Sequence, residues 1–371
     1  MKRTISELEG DSLLIGTLPT GCRLCAKGSK MVLFVTGLCD SSCYYCPLSM
    51  NKTGQDVVFA DEIPVSDEND ILFEAKAIKS EGVGISGGDP LCRLERTLNY
   101  LILLKKEHGP DFHTHLYTSQ TDVSEGDLQQ LKDAGLDEIR FHPQTDDWSG
   151  IQRAIRIGFI VGIEVPSIPG KQEHLKKLAT RAEKIGVSFL NINELEASET
   201  NFDKLVGLGM KLTNMESASI EGSRSTAIEV LEWSETNLQK LSLHFCSSRF
   251  KDSVQMRKRL ERRLEQTIRE FEERDDTDPL LILGVVRAPH GSQLSLSELK
   301  SIYQILETEF SVPKNLINLD EKRKRIEIAP WILEEISEAL KDTLTDITEI
   351  EIGIAFEYPT WDRLQTMFDP F

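Results

Sequence analysis

The stretch Cys39-Asp-Ser-Ser-Cys43-Tyr-Tyr-Cys46 follows the apolar run Met31-Val-Leu-Phe-Val-Thr-Gly37. Three thiols within eight residues, just after a strand-like segment, suit a soft metal ion or an iron–sulfur cluster. A cubane cluster has four irons, and this stretch supplies three ligands, which leaves one iron for a group that is not a cysteine. The alternative is a zinc knuckle. Zinc sites usually pair two Cys-x2-Cys arms, whereas this triplet is asymmetric and lies in a post-strand loop.

Working outward from the triplet, short apolar strands alternate with helical patterns. Strands are expected at 31–36, 83–87, 112–118, 138–142, 159–165 and 188–193, and helices near 68–81, 94–108, 124–134, 149–157 and 171–186. Ser124-Glu-Gly-Asp127 is a capping sequence ahead of Leu128 and Leu131, and Gly135 and Gly186 are natural stops. Regular βα alternation implies parallel strands joined by right-handed crossovers. Six such units that do not divide into two nucleotide-binding halves indicate an α/β fold of the partial (β/α)6 barrel type, with its chemistry at the C-terminal ends of the strands. The triplet follows the first strand, at that end. Residues 200–250 extend the pattern by up to two βα-like units, with a helix at Ser225–Trp233 and a strand at Leu241–Cys246.

The domain organisation expected is a leader at 1–30, a barrel at 31–250, a long helix and linker at 251–277, and an α+β domain at 278–371. The amphipathic helix, about 252–274, carries Leu260, Leu264, Ile268 and Phe271 as its apolar stripe. Lys258, Arg259, Arg262 and Arg263 on its other faces read as a solvated surface laced with Glu261 and Glu265 or as a phosphate-binding one. Asp275-Asp-Thr-Asp-Pro279 reads as a linker, and the pattern beyond it is βαββαβ, the ferredoxin-like order. That term describes topology alone, since no cysteine follows Cys246.

The 371 residues are 39% hydrophobic and 28% charged, ordinary for a globular chain. No apolar run approaches a membrane span, and Met1–Gly10 has no apolar signal core, so the expected location is the cytoplasm. Seven cysteines in a chain of this length do not make a disulfide framework. The net charge of −18 weighs against nonspecific binding to nucleic acid, which needs a basic surface.

The Cys-x3-Cys-x2-Cys spacing, with Tyr45 before the last cysteine, resembles the signature of the radical S-adenosylmethionine (SAM) superfamily. The resemblance covers roughly residues 31–200. It implies that Cys39, Cys43 and Cys46 hold a [4Fe–4S] cluster whose open iron chelates SAM. It further implies that one electron breaks a carbon–sulfur bond to give a 5′-deoxyadenosyl radical, with an electron donor such as ferredoxin or flavodoxin as partner. The whole-chain pattern resembles archaeal relatives of pyruvate formate-lyase activating enzyme. Hydrogen abstraction from a protein glycine is therefore one option for the reaction, and modification of RNA or a small molecule is another. A non-catalytic iron–sulfur or zinc protein is the reading from a different class.

Ser86-Gly-Gly-Asp-Pro90 ends the second strand, and on its own reads as a tight βα turn. Its position resembles the family's Gly-Gly-Glu stretch, with Asp in place of Glu. This implies that Gly87, Gly88 and Asp89 meet the amino group of SAM. Gly158-Phe-Ile-Val-Gly-Ile-Glu164 resembles the adenine-side stretch, with Glu164 one residue early. Ser119 and His142, at strand ends, are candidates for ribose or carboxylate. Asn193 and Glu194, in the polar run Asn191–Glu196, are candidates for lining a wet cavity near SAM or substrate, against simple loop capping. His113 and His115 share one face of the third strand and read as barrel histidines. Cys92 reads as packing beside the glycine loop. Cys22, Cys25 and Cys246, with or without His244, suggest a second metal site, iron–sulfur or zinc. Against it, Cys22 and Cys25 precede the first strand while Cys246 ends one, which puts them at opposite ends of the barrel.

Overall fold

The computed structural model describes residues 3–344 and 349–371, which form two compact units, 1–259 and 260–371. The first unit opens with β1 (Ser6–Glu7) and β2 (Leu13–Ile15), then α1 (Thr20–Ala26). The barrel strands and crossovers follow: β3 (Lys30–Phe34), the short pair β4 (Phe59–Ala60) and β5 (Ile63–Pro64), α2 (Glu68–Ala77), β6 (Gly82–Ser86), α3 (Leu94–His108), β7 (His113–Thr118), α4 (Glu125–Asp133), β8 (Glu138–Phe141), α5 (Ser149–Ile157), β9 (Ile160–Ser167), α6 (Gln172–Ile185) and β10 (Phe189–Glu194). The unit continues with α7 (Phe202–Gly207), α8 (Ser223–Asn237) and β11 (Ser242–Cys246).

The sheet order is β1-β2-β11-β10-β9-β8-β7-β6-β3-β4-β5. Strands β3 and β6 to β11 are parallel to one another, and the antiparallel β1–β2 and β4–β5 pairs, antiparallel also to β11 and β3, form the two edges. The expected partial barrel is present, lengthened by one strand. Among the described residues, β11 alone is added after β10, because α7 is a short helix that leads into no strand of its own. The strand interiors are fully buried at Met31, Leu33, Val83, Ile85, Leu116, Ile139, Phe141, Ile163, Leu190 and Ile192. Each aliphatic side chain so buried contributes about 1.5–3 kcal/mol, which fixes the register of the strand ends where the site lies. Local signals agree with these bounds. Ser124 accepts the Asp127 N–H at 3.1 Å to cap α4, and Gly158 and Gly186 end α5 and α6 at positive φ.

The leader before β3 joins the barrel: β2 pairs with β11, and α1 packs on β6 and β7. Gly21 of α1 lies so close to His115 and Arg140 that a Cβ there would meet their nitrogens at 2.8 and 2.7 Å. The helix expected over 252–274 is a π-helical turn at Phe250–Met256 followed by α9 (Arg257–Thr267). It stops because the segment beyond Thr267 turns back: Arg269 N–H bonds the Glu272 carboxylate at 2.8 Å, and Glu273–Arg274 forms β12.

In the second unit, β13 (Leu281–Arg287), α10 (Leu296–Thr308), β14 (Ile317–Asp320), β15 (Arg325–Ile328), α11 (Pro330–Leu344) and β16 (Glu351–Glu357) run in βαββαβ order. The sheet order is β14-β15-β13-β16-β17, with β17 (Gln365–Pro370) added at one edge and β12 beside β13. A buried ion network crosses the unit. Arg325 holds Glu327 and Glu357, Arg269 holds Glu272 and Glu327, and Arg363 holds Glu272. Arg269 and Glu272 precede the expected boundary at 278. A fragment of residues 260–371 is therefore expected to unfold cooperatively in denaturant. One of residues 278–371, lacking Arg269 and Glu272, is expected to be less stable by about 3–5 kcal/mol, the cost of stranding a buried charge. Equal midpoints for the two would place the boundary back at the acidic segment.

Candidate functional site

The cysteine loop leaves β3 and is pinched at its neck. Gly37 N–H bonds Gln55 O at 2.8 Å, and Gly54 N–H bonds Gly37 O at 2.9 Å. Only glycine fits at 37, since a Cβ would stand 1.6 Å from Lys52 O. Asp56, at the far side of the neck, accepts from Thr36, Arg93 and Arg96, which hold its carboxyl well below the usual carboxylate range. The tip of the loop is fastened from two directions. Asn201 donates to Tyr45 O at 3.0 Å and Thr200 to Leu48 O at 2.7 Å. Ser41 donates to Ser119 Oγ, at the end of β7, at 2.9 Å.

This places Cys39, Cys43 and Cys46 over the C-terminal ends of the parallel strands. Cys39 is exposed, Cys43 and Cys46 are half-buried, and none is in a disulfide. Burial pushes the Cys43 thiol up, and the neighbouring Cys46 and Cys39 add to this, so the three sulfurs share one electrostatic neighbourhood. Free, partly exposed thiols gathered on one fastened loop are a donor set that fits an iron–sulfur cluster.

The glycine loop docks on the base of that cysteine loop. Gly88 N–H bonds Thr36 O at 2.8 Å, and Asp89 N–H bonds Leu38 O at 2.7 Å. A Cβ at Gly88 would come within 2.4 Å of Leu38 O, so this close approach requires glycine. Among the described residues no donor reaches the carbonyl oxygens of Gly87 or Gly88. Two free acceptors beside the thiols suit the ammonium group of SAM.

Asp89 is held from within the chain. Its carboxylate is 1% exposed and accepts from Leu91 N–H, the Thr118 hydroxyl, and both the N–H and hydroxyl of Ser119, at 2.8–3.0 Å. Burial raises its pKa against these bonds. With its lone pairs spent inside the protein, Asp89 ties β6 to β7.

His142 and Ser119 also act on the loop. His142 Nδ1–H donates to Glu164 O at 2.7 Å, so its Nε2 accepts from Tyr45 Oη at 2.9 Å, while Gln144 donates to the same Tyr45 oxygen at 3.1 Å. Burial lowers the His142 pKa and keeps the ring neutral, as this arrangement requires. Tyr45→Phe removes both bonds and is expected to cost about 1 kcal/mol in denaturant unfolding. It should also hasten bleaching of the visible absorbance in air; unchanged bleaching would show that the tyrosine does not steady the loop.

Below the loop, a cavity of about 160 Å³ occupies the barrel interior, lined in part by Cys22, Arg140, Glu164, Asn191, Asn193 and Lys251. Glu164 faces this cavity, bonded to Arg140 at 2.9 Å, Asn191 at 3.0 Å and Asn193 at 2.9 Å. Burial opposes its ionisation, but Arg140 and the two amides bring its pKa below the usual value. Glu194 turns away and accepts the Ser248 N–H at 2.8 Å, which is loop capping.

Cys22, Cys25 and Cys246 all line the same cavity, together with His244, so the expected separation between barrel ends does not arise: α1 carries the first two inside the barrel. Cys22 accepts from Asn191 at 3.3 Å and Arg140 at 3.5 Å. Burial would raise its thiol, yet Arg140 and His244 bring it down to about 7, whereas burial pushes Cys246 far up. The ligand atoms of these four described residues do not gather as a set of three within 4.8 Å of one another, the spacing of a single-ion site, and neither do those of Cys39, Cys43 and Cys46. Cys92 lies 4.0 Å from an Asp40 oxygen, beside the loop. Sequence reasoning missed the loop anchors Thr200 and Asn201, and no motif marks them.

A barrel of parallel strands with a three-thiol loop over their C-terminal ends defines a class of enzyme, and sequence comparison agrees with it. The radical SAM superfamily model matches residues 33–186. The chain is 37% identical over 361 residues to a protein of Methanocaldococcus jannaschii named as a candidate glycyl-radical enzyme activating enzyme, covering 94% of this chain and 91% of that one. The chain belongs to the radical SAM superfamily and is an enzyme of it. Use of a [4Fe–4S] cluster and cleavage of SAM are general to that family, which also requires a reductant. A domain model of unknown function matches residues 280–366. Among solved structures, Streptococcus suis SuiB bound to SAM aligns at 14% identity with a TM-score of 0.42, over 59% of this chain and 50% of that one. Methylornithine synthase aligns at 12% identity with a TM-score of 0.39, over 55% of this chain and 62% of that one. No helix among the described residues is long and apolar enough to cross a membrane.

Proposed function

We propose that this enzyme activates a protein by taking a hydrogen atom from a glycine of its polypeptide, with Cys39, Cys43 and Cys46 holding the cluster and the Gly87 and Gly88 carbonyls receiving the SAM ammonium. The observation that carries the cofactor assignment is the fastening of the three-thiol loop to the glycine loop through the Gly88 and Asp89 N–H groups. The substrate class rests on the name of the M. jannaschii relative. When bound, the cluster and SAM supply a 5′-deoxyadenosyl radical.

The chain's own residues supply position and exclusion. Thr118 and Ser119, through Asp89, fix the glycine loop against β7. Tyr45, His142 and Glu164 O form a relay of hydrogen bonds that holds the cysteine loop over β8 and β9. The strand walls screen the interior from water. An electron donor such as ferredoxin or flavodoxin would meet the loop at Cys39, its exposed thiol.

The test is anaerobic reconstitution with iron and sulfide, addition of SAM and a chemical reductant, and chromatography for 5′-deoxyadenosine. Release of that product supports the cofactor assignment. A glycine-centred radical on a co-expressed partner, seen by electron paramagnetic resonance, supports the substrate. Product without any protein-borne radical would redirect the assignment to a small molecule.

A further inference from the structure

At the opposite end of the barrel from the cysteine loop, β7 and β8 begin with His113 and Glu138, and His115 is in register with Glu138. One ligand atom from each of His113, His115 and Glu138 lies within 4.8 Å of the others. His115 and Glu138 are fully buried, and His113 is 9% exposed. Nε2 of His113, Nδ1 of His115 and Oε2 of Glu138 are buried without a hydrogen-bond partner. Buried polar atoms are almost always paired, so three orphans in one cluster call for a ligand. Two of them, His113 Nε2 and Glu138 Oε2, stand 3.7 Å apart.

The remaining atoms of the cluster are placed as outer partners of a metal site are. Arg140 Nε donates to Glu138 Oε1 at 2.5 Å, which turns the other oxygen inward. His115 Nε2 lies 3.2 Å from Tyr117 Oη, and His113 Nδ1 lies 4.0 Å from the Asp137 carboxylate. Ligating histidines engage their second nitrogen as His115 does, and ligating carboxylates are themselves bonded, as Glu138 is; His113 has only the charge of Asp137 nearby.

We propose that His113, His115 and Glu138 form a site for one divalent transition-metal ion, zinc by its ligand set. Two imidazoles and one carboxylate are a known zinc donor set, with the fourth position left to water. Iron(II) is the other ion that such a set accepts. Although three protein ligands leave the fourth position open, the site joins the first residues of two neighbouring strands, away from the end where barrel chemistry occurs, and this placement makes its role structural. The ion would staple β7 to β8 under the cavity, and His113, at the rim, gives it a way in.

The test uses the full chain, reconstituted anaerobically so that iron fills the cysteine triplet, then given zinc and dialysed. X-ray absorption at the zinc edge is element-specific, so the cluster irons do not interfere. The expected result is one equivalent of retained zinc with a shell of nitrogen and oxygen, two imidazoles among them, and a Tm that rises with zinc concentration. His113→Gln should weaken zinc binding by more than the roughly 10–100-fold that loss of an outer partner causes. Sulfur in the zinc shell would mean that the cavity cysteines hold the ion, and would overturn the proposal. So would no retained zinc, or unchanged affinity in His113→Gln. Should that variant fail to fold, the absorption spectrum of the unaltered enzyme decides alone.

Discussion

Cys43→Ala, reconstituted without oxygen, is expected to lose the visible absorbance of the cluster and at least about a hundredfold of 5′-deoxyadenosine formation, or some 2.7 kcal/mol of barrel-borne rate enhancement. The expectation follows from the loop. Cys43 is the middle thiol of the triplet, and the Cys46 N–H bonds its carbonyl at 3.2 Å, so the two sulfurs are set by one turn. The fastenings of the loop, Ser41 to Ser119 and Asn201 to Tyr45, do not involve the Cys43 side chain, so the loop should keep its path in the variant. The defect should therefore appear in iron content and SAM cleavage with Tm nearly unchanged. A Cys43→Ala protein that keeps the wild-type absorbance and turnover would show that the cluster is held elsewhere, the cavity cysteines being the first place to look.

Asp89→Ala is expected to act in the opposite order, on stability before SAM. Its carboxylate satisfies four donors, from Leu91, Thr118 and Ser119, in a place that is 1% exposed. Stranding several buried donors costs about 1–3 kcal/mol each and is not additive. A loss of about 3–5 kcal/mol is expected, or roughly 10 °C in Tm for a unit of this size. SAM affinity, measured by calorimetry at a temperature where the variant is folded, should fall less than tenfold, because the acceptors assigned to the ammonium are backbone carbonyls. If instead affinity collapses while Tm holds, the carboxylate touches SAM directly and the present role for Asp89 is wrong.

These two residues mark what the sequence made legible. The cysteine triplet is readable because metal chemistry demands residue type and spacing together. The βα alternation is readable because capping residues such as Ser124 and stop glycines such as Gly186 act locally. Asp89 was legible by its place in the chain, whereas its hydrogen bonds to Thr118 and Ser119 run across the sheet and leave no trace in the sequence. Glu164 was likewise found by position, while its bonds to Arg140, Asn191 and Asn193 come from neighbouring strands and leave no periodic trace. Strands of two or three residues, such as β1 and β2, lie below any hydrophobic period. The helix through 257 ended early at Thr267 because the carboxylate of Glu272, bonded to the nearby Arg269 and to the distant Arg363, draws the chain back. The convergence of Cys22 and Cys25 with Cys246 depends on α1 entering the barrel, which Gly21 permits and no pattern announces.

The first strands also set a timetable for synthesis. Leu13–Ile15 pairs with Leu243–Phe245, and Ser12 meets Ser247 across 235 residues of chain. At ribosomal rates of about 5–20 residues per second, β2 waits on the order of 10–50 s for its partner to be made. The cysteine loop and the glycine loop that fastens it emerge early in that interval, within the first 90 residues. The loops of the site are thus made well before β11, the strand that joins β2 to β10.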